Sequence, residues 1–127
     1  MHTSLSRRRV LLAACLLFLA ARSQGASSAP EQLRIDRLIA AVANQKGAKF
    51  VRNGTAYEAA DAARFLRGKL DSMGSRVSTA SEFIEQIASR SSTSGKGYTL
   101  HFADGRKLPA AEFLKEELRR MDAAGAR

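Results

Sequence analysis

Apolar residues recur along this chain with two periods, and the points where the period changes divide it into helices and strands. Ile35, Leu38, Ile39 and Val42 stand at i, i+3, i+4 and i+7, one helical face, with Pro30 near the first turn and Gly47 just past the end. Ala59, Ala62, Ala63, Leu66, Leu70 and Met73 keep that period in a second helix. Thr55 and Glu58 read as its capping box and Gly74 as its stop. Thr79 and Glu82 repeat the box before a short third helix with an inner face of Ala80, Phe83, Ile84, Ile87 and Ala88. A fourth starts after Pro109 and buries Phe113, Leu114, Leu118 and Met121, leaving Glu112, Glu116 and Arg120 on the wet side.

Two extended pieces separate the helices. Lys49 to Arg52 ends at the turn dipeptide Asn53-Gly54. Tyr98, Leu100 and Phe102 alternate with Thr99, His101 and Ala103 as a half-buried strand, and Asp104-Gly105 turns the chain into Arg106 to Leu108 as a hairpin. The pattern predicts one small α+β domain over residues 26–122, about four helices packed on a small, mainly antiparallel sheet. Residues 123–127 read as a disordered tail.

Residues 1–25 follow a different logic. Arg7, Arg8 and Arg9 form a positive region, Val10 to Ala21 is an unbroken apolar run, and small residues follow from Ser23 to Ala29. The run falls short of the roughly twenty residues a bilayer span needs, so the segment reads as a cleaved export signal and leaves no transmembrane anchor. Leu12-Ala13-Ala14-Cys15 also fits a lipobox, but the apolar run continues past Cys15 where lipidation would end it. Ser6-Arg7-Arg8-Arg9-Val10-Leu11 approximates a twin-arginine signal, an address for proteins exported folded. A general secretory signal leading to the periplasm or the exterior is the primary expectation.

Removing the leader changes the composition. Four of the 21 Lys and Arg lie within it and none of the 12 Asp and Glu, so the mature chain carries +5 instead of +9. A mildly basic domain whose cations are interspersed with acids suits anionic envelope components and argues against nucleic acid. Cys15 is the one cysteine and leaves with the leader, and His101 is then the sole histidine, so the sequence predicts no metal, no cofactor and no disulfide in a monomeric domain.

Phe50-Val51-Arg52-Asn53-Gly54 with Tyr57, the run Ala80 to Ile87, and Ala88-Ser89 through Ser91-Ser92, Ser94-Gly95-Lys96 and Tyr98 resemble the YfeK-like family of small exported bacterial proteins, a domain of unknown function. The resemblance covers roughly Ile35 to Leu118 and implies export and a single small domain, without implying an activity. It also implies that relatives carry cysteines at the positions of Ala48 and of His101 or Phe102, a strand contact this chain would keep without the bond.

Chemistry-like patterns are few. Ser92-Thr93-Ser94-Gly95-Lys96 is not a phosphate loop: Arg90 replaces its first glycine, Gly97 replaces the magnesium-binding hydroxyl, and the order runs helix to strand. A penicillin-binding Ser-x-x-Lys reading fails because Thr93 stands three before Lys96. Asn53-Gly54-Thr55 matches a glycosylation sequon, but a turn followed by a Thr helix cap accounts for all three residues and is the expectation.

The serine-rich loop from Ser89 to Lys96 can stop a helix, with hydroxyls on its last carbonyls and Gly95 at positive φ. The same loop can also converge with the Arg52 turn. Arg52, Asn53, Tyr57, Ser91, Ser92, Ser94, Lys96 and Tyr98 would then form a polar surface for an anionic or sugar-like envelope ligand or an envelope protein. The functional expectation is thus a non-catalytic binding or accessory protein of the bacterial envelope. The alternative is a small hydrolase using Ser91, Ser92 or Ser94 with His101, and a third reading is a subunit whose partner covers a helix face.

Overall fold

The structure is a computed structural model and describes residues 29–73 and 76–125. The expected leader at 1–25, both of its alternative readings and the Gly74 stop lie outside the described residues. The first helix, α1 (Ala29–Ala43), buries Ile35, Leu38, Ile39 and Val42, as their spacing requires. Gly47 then adopts φ +83°, a conformation that side chains resist, and the turn delivers the chain into the first strand.

That strand, β1 (Lys49–Arg52), does not lead into a helix. Asn53 and Gly54 both have positive φ, 51° and 80°, so the pair forms a two-residue turn whose twist matches a hairpin. The residues after it pair back as β2 (Thr55–Glu58), in the register Arg52↔Thr55 and Phe50↔Tyr57. The expected Thr55/Glu58 capping box is therefore corrected: Glu58 stands opposite Lys49 and forms an ion pair with it. The second helix, α2 (Ala59–Met73), follows directly and buries Ala59, Ala62, Ala63 and Leu66, while Leu70 and Met73 pack at its margin.

The second predicted box exists. Thr79 Oγ1 accepts from the Glu82 amide at 3.1 Å, and Glu82 Oε1 accepts from the Ser78 hydroxyl at 2.6 Å and the Ser78 amide at 3.3 Å. These contacts start α3 (Ala80–Phe83), which widens into a π-helical turn over Ile84–Ala88. All five expected inner residues of this segment are buried. Glu31 of α1 accepts from the Ala80 amide at 2.9 Å and is paired with Arg34, whose other nitrogen donates to Asp122 at 2.8 Å. One arginine thus links the first turn of the first helix to the end of the last.

The hairpin of β3 (Thr99–His101) and β4 (Lys107–Pro109) forms as predicted around Asp104-Gly105, and all four strands join in one antiparallel sheet of order β2-β1-β3-β4. Phe50 and Leu100 point into the core with the helices; Lys49, Glu58 and Lys107 stand exposed in register with half-buried His101. The last helix, α4 (Ala110–Gly125), buries Phe113, Leu114 and Leu118, with Met121 half-buried. It runs on to Gly125, so residues 123–125, expected in the tail, are helical. Four helices among the described residues, packed against a four-stranded antiparallel sheet, make a single small α+β domain. Among the described residues no helix is long and apolar enough to cross a membrane.

Candidate functional site

The serine-rich segment is a tight loop with its own ladder. The Ser91 amide donates to the Lys96 carbonyl at 2.9 Å, Gly95 donates to the Ser91 carbonyl at 3.0 Å, and Tyr98 donates to the Ser89 carbonyl at 2.9 Å. Gly95 has φ +74°, which closes the turn. The helix-stopping role is present as well, since the Ser89 hydroxyl donates to the Glu85 carbonyl at 2.6 Å.

Ser91 organises this loop from the inside. It is the one polar residue buried among the described residues, and its hydroxyl accepts from the Thr93 amide, the Ser94 amide and Asn53 Nδ2, each at 3.3 Å. It also shares a hydrogen bond with Thr93 Oγ1 at 3.0 Å. The Ser94 hydroxyl donates to Asn53 Oδ1. The β1–β2 turn and the serine loop, 38 residues apart in sequence, are thereby fastened to each other.

Beside this junction lies a groove of about 220 Å³ lined by Arg52, Phe65, Lys69, Ser91, Ser92, Thr93 and Tyr98. Its walls come from three sources: β1 supplies Arg52, α2 supplies Phe65 and Lys69 one turn apart, and the loop supplies the hydroxyls. The Arg52 guanidinium lies 4.2 Å from the Phe65 ring centroid and 5.3 Å from that of Tyr57, and donates to Tyr57 Oη at 3.3 Å. Lys69 Nζ donates to the Arg90 carbonyl at 2.9 Å and to Tyr98 Oη at 3.2 Å. The Tyr98 ring is held from below by Phe50 and Phe65, at 5.1 and 5.9 Å between centroids.

Among the described residues neither Arg52 nor Lys69 has a carboxylate partner; Arg37, Lys46, Arg76, Arg90, Lys96 and Lys107 lack one too, but only Arg52 and Lys69 line one groove together. Burial pushes the Lys69 amine below the usual lysine range, and the Arg52 charge adds to the effect. Burial pushes the Tyr98 phenol up, with Arg52 acting in the opposite sense. The groove is therefore a patch of uncompensated positive charge with hydroxyl donors along one side.

The structure brings together most of the residues that the sequence singles out. Arg52, Ser91, Ser92 and Tyr98 line the groove, Asn53 and Ser94 fasten its rim, and Tyr57 braces Arg52. Lys96 stands exposed and outside it, and the cation facing Arg52 is Lys69. Lys69 and Phe65 are missed from sequence, because a lysine on the polar side of a helix looks like an ordinary solvated residue. His101 lies on the strand face opposite the inward Tyr98 and Leu100, level with Lys49 and Lys107. Among the described contacts no hydrogen bond joins it to Ser91, Ser92 or Ser94, and Asp104 is engaged by Arg106 at 2.8 Å.

Comparison with known proteins now adds family to geometry. Residues 29–122 match a family of unknown function (DUF5329), a stretch that spans every element described above but the last three residues of α4. The chain belongs to this family. It is also 36% identical over 91 residues to the uncharacterized protein YfeK of Salmonella typhimurium, an alignment covering 72% of this chain and 76% of that protein. No solved structure matches the chain. The resemblance stated from the motifs at Phe50 to Tyr57 and Ala80 to Tyr98 is thus upheld at the level of the family.

Proposed function

We propose that this protein is a non-catalytic binding or accessory protein of the bacterial cell envelope, exported by its N-terminal leader, and that the groove at Arg52 and Lys69 takes the anionic group of its ligand. The observation that carries the reading is the pair of neighbouring cations without a carboxylate. Two like charges held side by side disfavour each other, and an anion between them relieves the repulsion. The hydroxyls of Ser92 and Thr93 offer donors on the same side, and the aromatic floor supports the guanidinium without neutralising it. The hydrolase alternative names His101 as the partner of the loop serines, and among the described contacts no hydrogen bond joins them.

Export is supported by the basic, apolar and small-residue regions of the leader, and intact mass of the exported protein should show a loss of roughly 23 to 28 residues. Binding is tested by titrating the mature protein with inorganic phosphate, glucuronate and glucose while following backbone amides. The two anions should shift Ser92 and Thr93, and glucose should not. The Arg52→Ala/Lys69→Ala variant should stay folded, within about 2 kcal/mol of wild type, because half-exposed cations contribute little to stability. It should lose the anion response and its salt dependence. Undiminished phosphate shifts in that variant would refute the site.

A further inference from the structure

Arg52 and Phe65 line two hollows, not one. On the far side from the serine loop is a larger groove of about 470 Å³, lined by Phe50, Tyr57, Ala62 and Phe65 with Arg52. Asp61 and Arg64 complete it, paired with each other at 3.1 Å, so the local carboxylate is already engaged. The anion groove alone, at about 220 Å³, is smaller than the roughly 300 to 1,000 Å³ of most ligand pockets; the larger one lies within that range. The two differ in chemistry as well as size: hydroxyls and an amine on one side, aromatic rings and a methyl group on the other. The guanidinium between them is stacked on Phe65 and held by a single long hydrogen bond to Tyr57 among the described residues.

We propose that the ligand is an amphiphilic anion, a phosphate or carboxylate head carried on a chain or ring, whose head sits between Arg52 and Lys69 beside Thr93 and whose apolar part runs past Phe65 into the larger groove. This rests on the anion-binding reading above and names the ligand class for the same site. Charge complementarity fixes the head and apolar lining fixes the body. A small hydrophilic anion would leave the rings of Tyr57 and Phe65 facing water, whereas a chain laid along them removes that surface from water.

The test is calorimetric titration of the mature protein with inorganic phosphate, ethyl, butyl and octyl phosphate, all below micelle-forming concentrations. Affinity should rise with chain length, by about two- to fourfold for each methylene seated, and octyl phosphate should exceed ethyl phosphate at least thirtyfold. The ring protons of Tyr57 and Phe65 should shift with octyl but not with ethyl phosphate. Binding of phosphate with equal affinity along the series would overturn the amphiphile and leave the anion site standing. No binding by any member would remove both. A parallel sedimentation with phosphatidylglycerol vesicles separates two sources of the same chemistry. Capture reversed by octyl phosphate assigns the ligand to a bilayer lipid, and absence of capture assigns it to an amphiphile taken singly from solution.

Discussion

Replacing Ser91 by Ala removes one of the two hydroxyls that fasten the serine loop to the β1–β2 turn, leaving the Ser94 bond to Asn53 in place. Three donors, the amides of Thr93 and Ser94 and the side chain of Asn53, converge on one oxygen with two lone pairs, each at 3.3 Å. At that distance each is at the outer limit of hydrogen-bond geometry. Thr93, Ser94 and Asn53 are exposed, so their released donors turn to water and no buried group is orphaned. A typical net value of about 0.5 to 1.5 kcal/mol per bond therefore applies at its lower end, and the sum comes to about 1 to 2 kcal/mol. For a domain near 100 residues this corresponds to a fall in Tm of about 5 to 12 °C, read by thermal circular dichroism. Asn53→Ala should overlap with it, the double variant falling short of additivity by about 0.5 kcal/mol or more. A Tm within about 2 °C of wild type together with strict additivity would refute the fastening role of Ser91.

Other expectations follow from individual residues. Gly54→Ala places a side chain at φ +80° in open space, so the strain is unrelieved by packing and should cost about 1 kcal/mol in urea unfolding. Phe83→Ala, at a fully buried ring, should cost about 3 to 5 kcal/mol and leave little folded protein on mild heating. The Glu82 carboxyl is held below its usual range by the Ser78 hydroxyl first and then by the Ser78 amide and Thr79. A lowered folded value means stability that is present above the unfolded pKa and lost as pH falls through the folded one. Urea midpoints from neutral to acid pH should drop over that window in wild type and more shallowly in Glu82→Gln.

Helix faces are legible in the sequence because the period of 3.6 depends only on which residues are apolar, and Ile35 to Val42 and Phe113 to Leu118 display it without interruption. The edge strand β2 is not. Thr55 and Glu58 have the spacing of a capping box, and of the four residues only Tyr57 is even half-buried, so alternation has no room to show. The decisive signal was the two-residue Asn53-Gly54 turn, which demands a returning strand. The π-helical turn at Ile84–Ala88 leaves no mark in the pattern either, since the same residues face inward in an ordinary helix. At the site, the loop and its partner turn announce themselves through composition. Lys69 does not, because only the packing of α2 beside Tyr98 turns a helix-surface lysine into a groove wall.

The link from Arg34 to Asp122 has a topological consequence. It brings the beginning of the folded chain beside its end, so the two could be sewn together by a short linker and the chain reopened at the exposed Asp104-Gly105 turn. Such a permutant would keep every element and every neighbour while making the β3–β4 hairpin the new pair of termini. It would also leave the Arg52 groove untouched, because none of the residues lining it lies at either junction. A reporter fused at those new ends would then be anchored to the strand next to Tyr98, close to the groove in sequence.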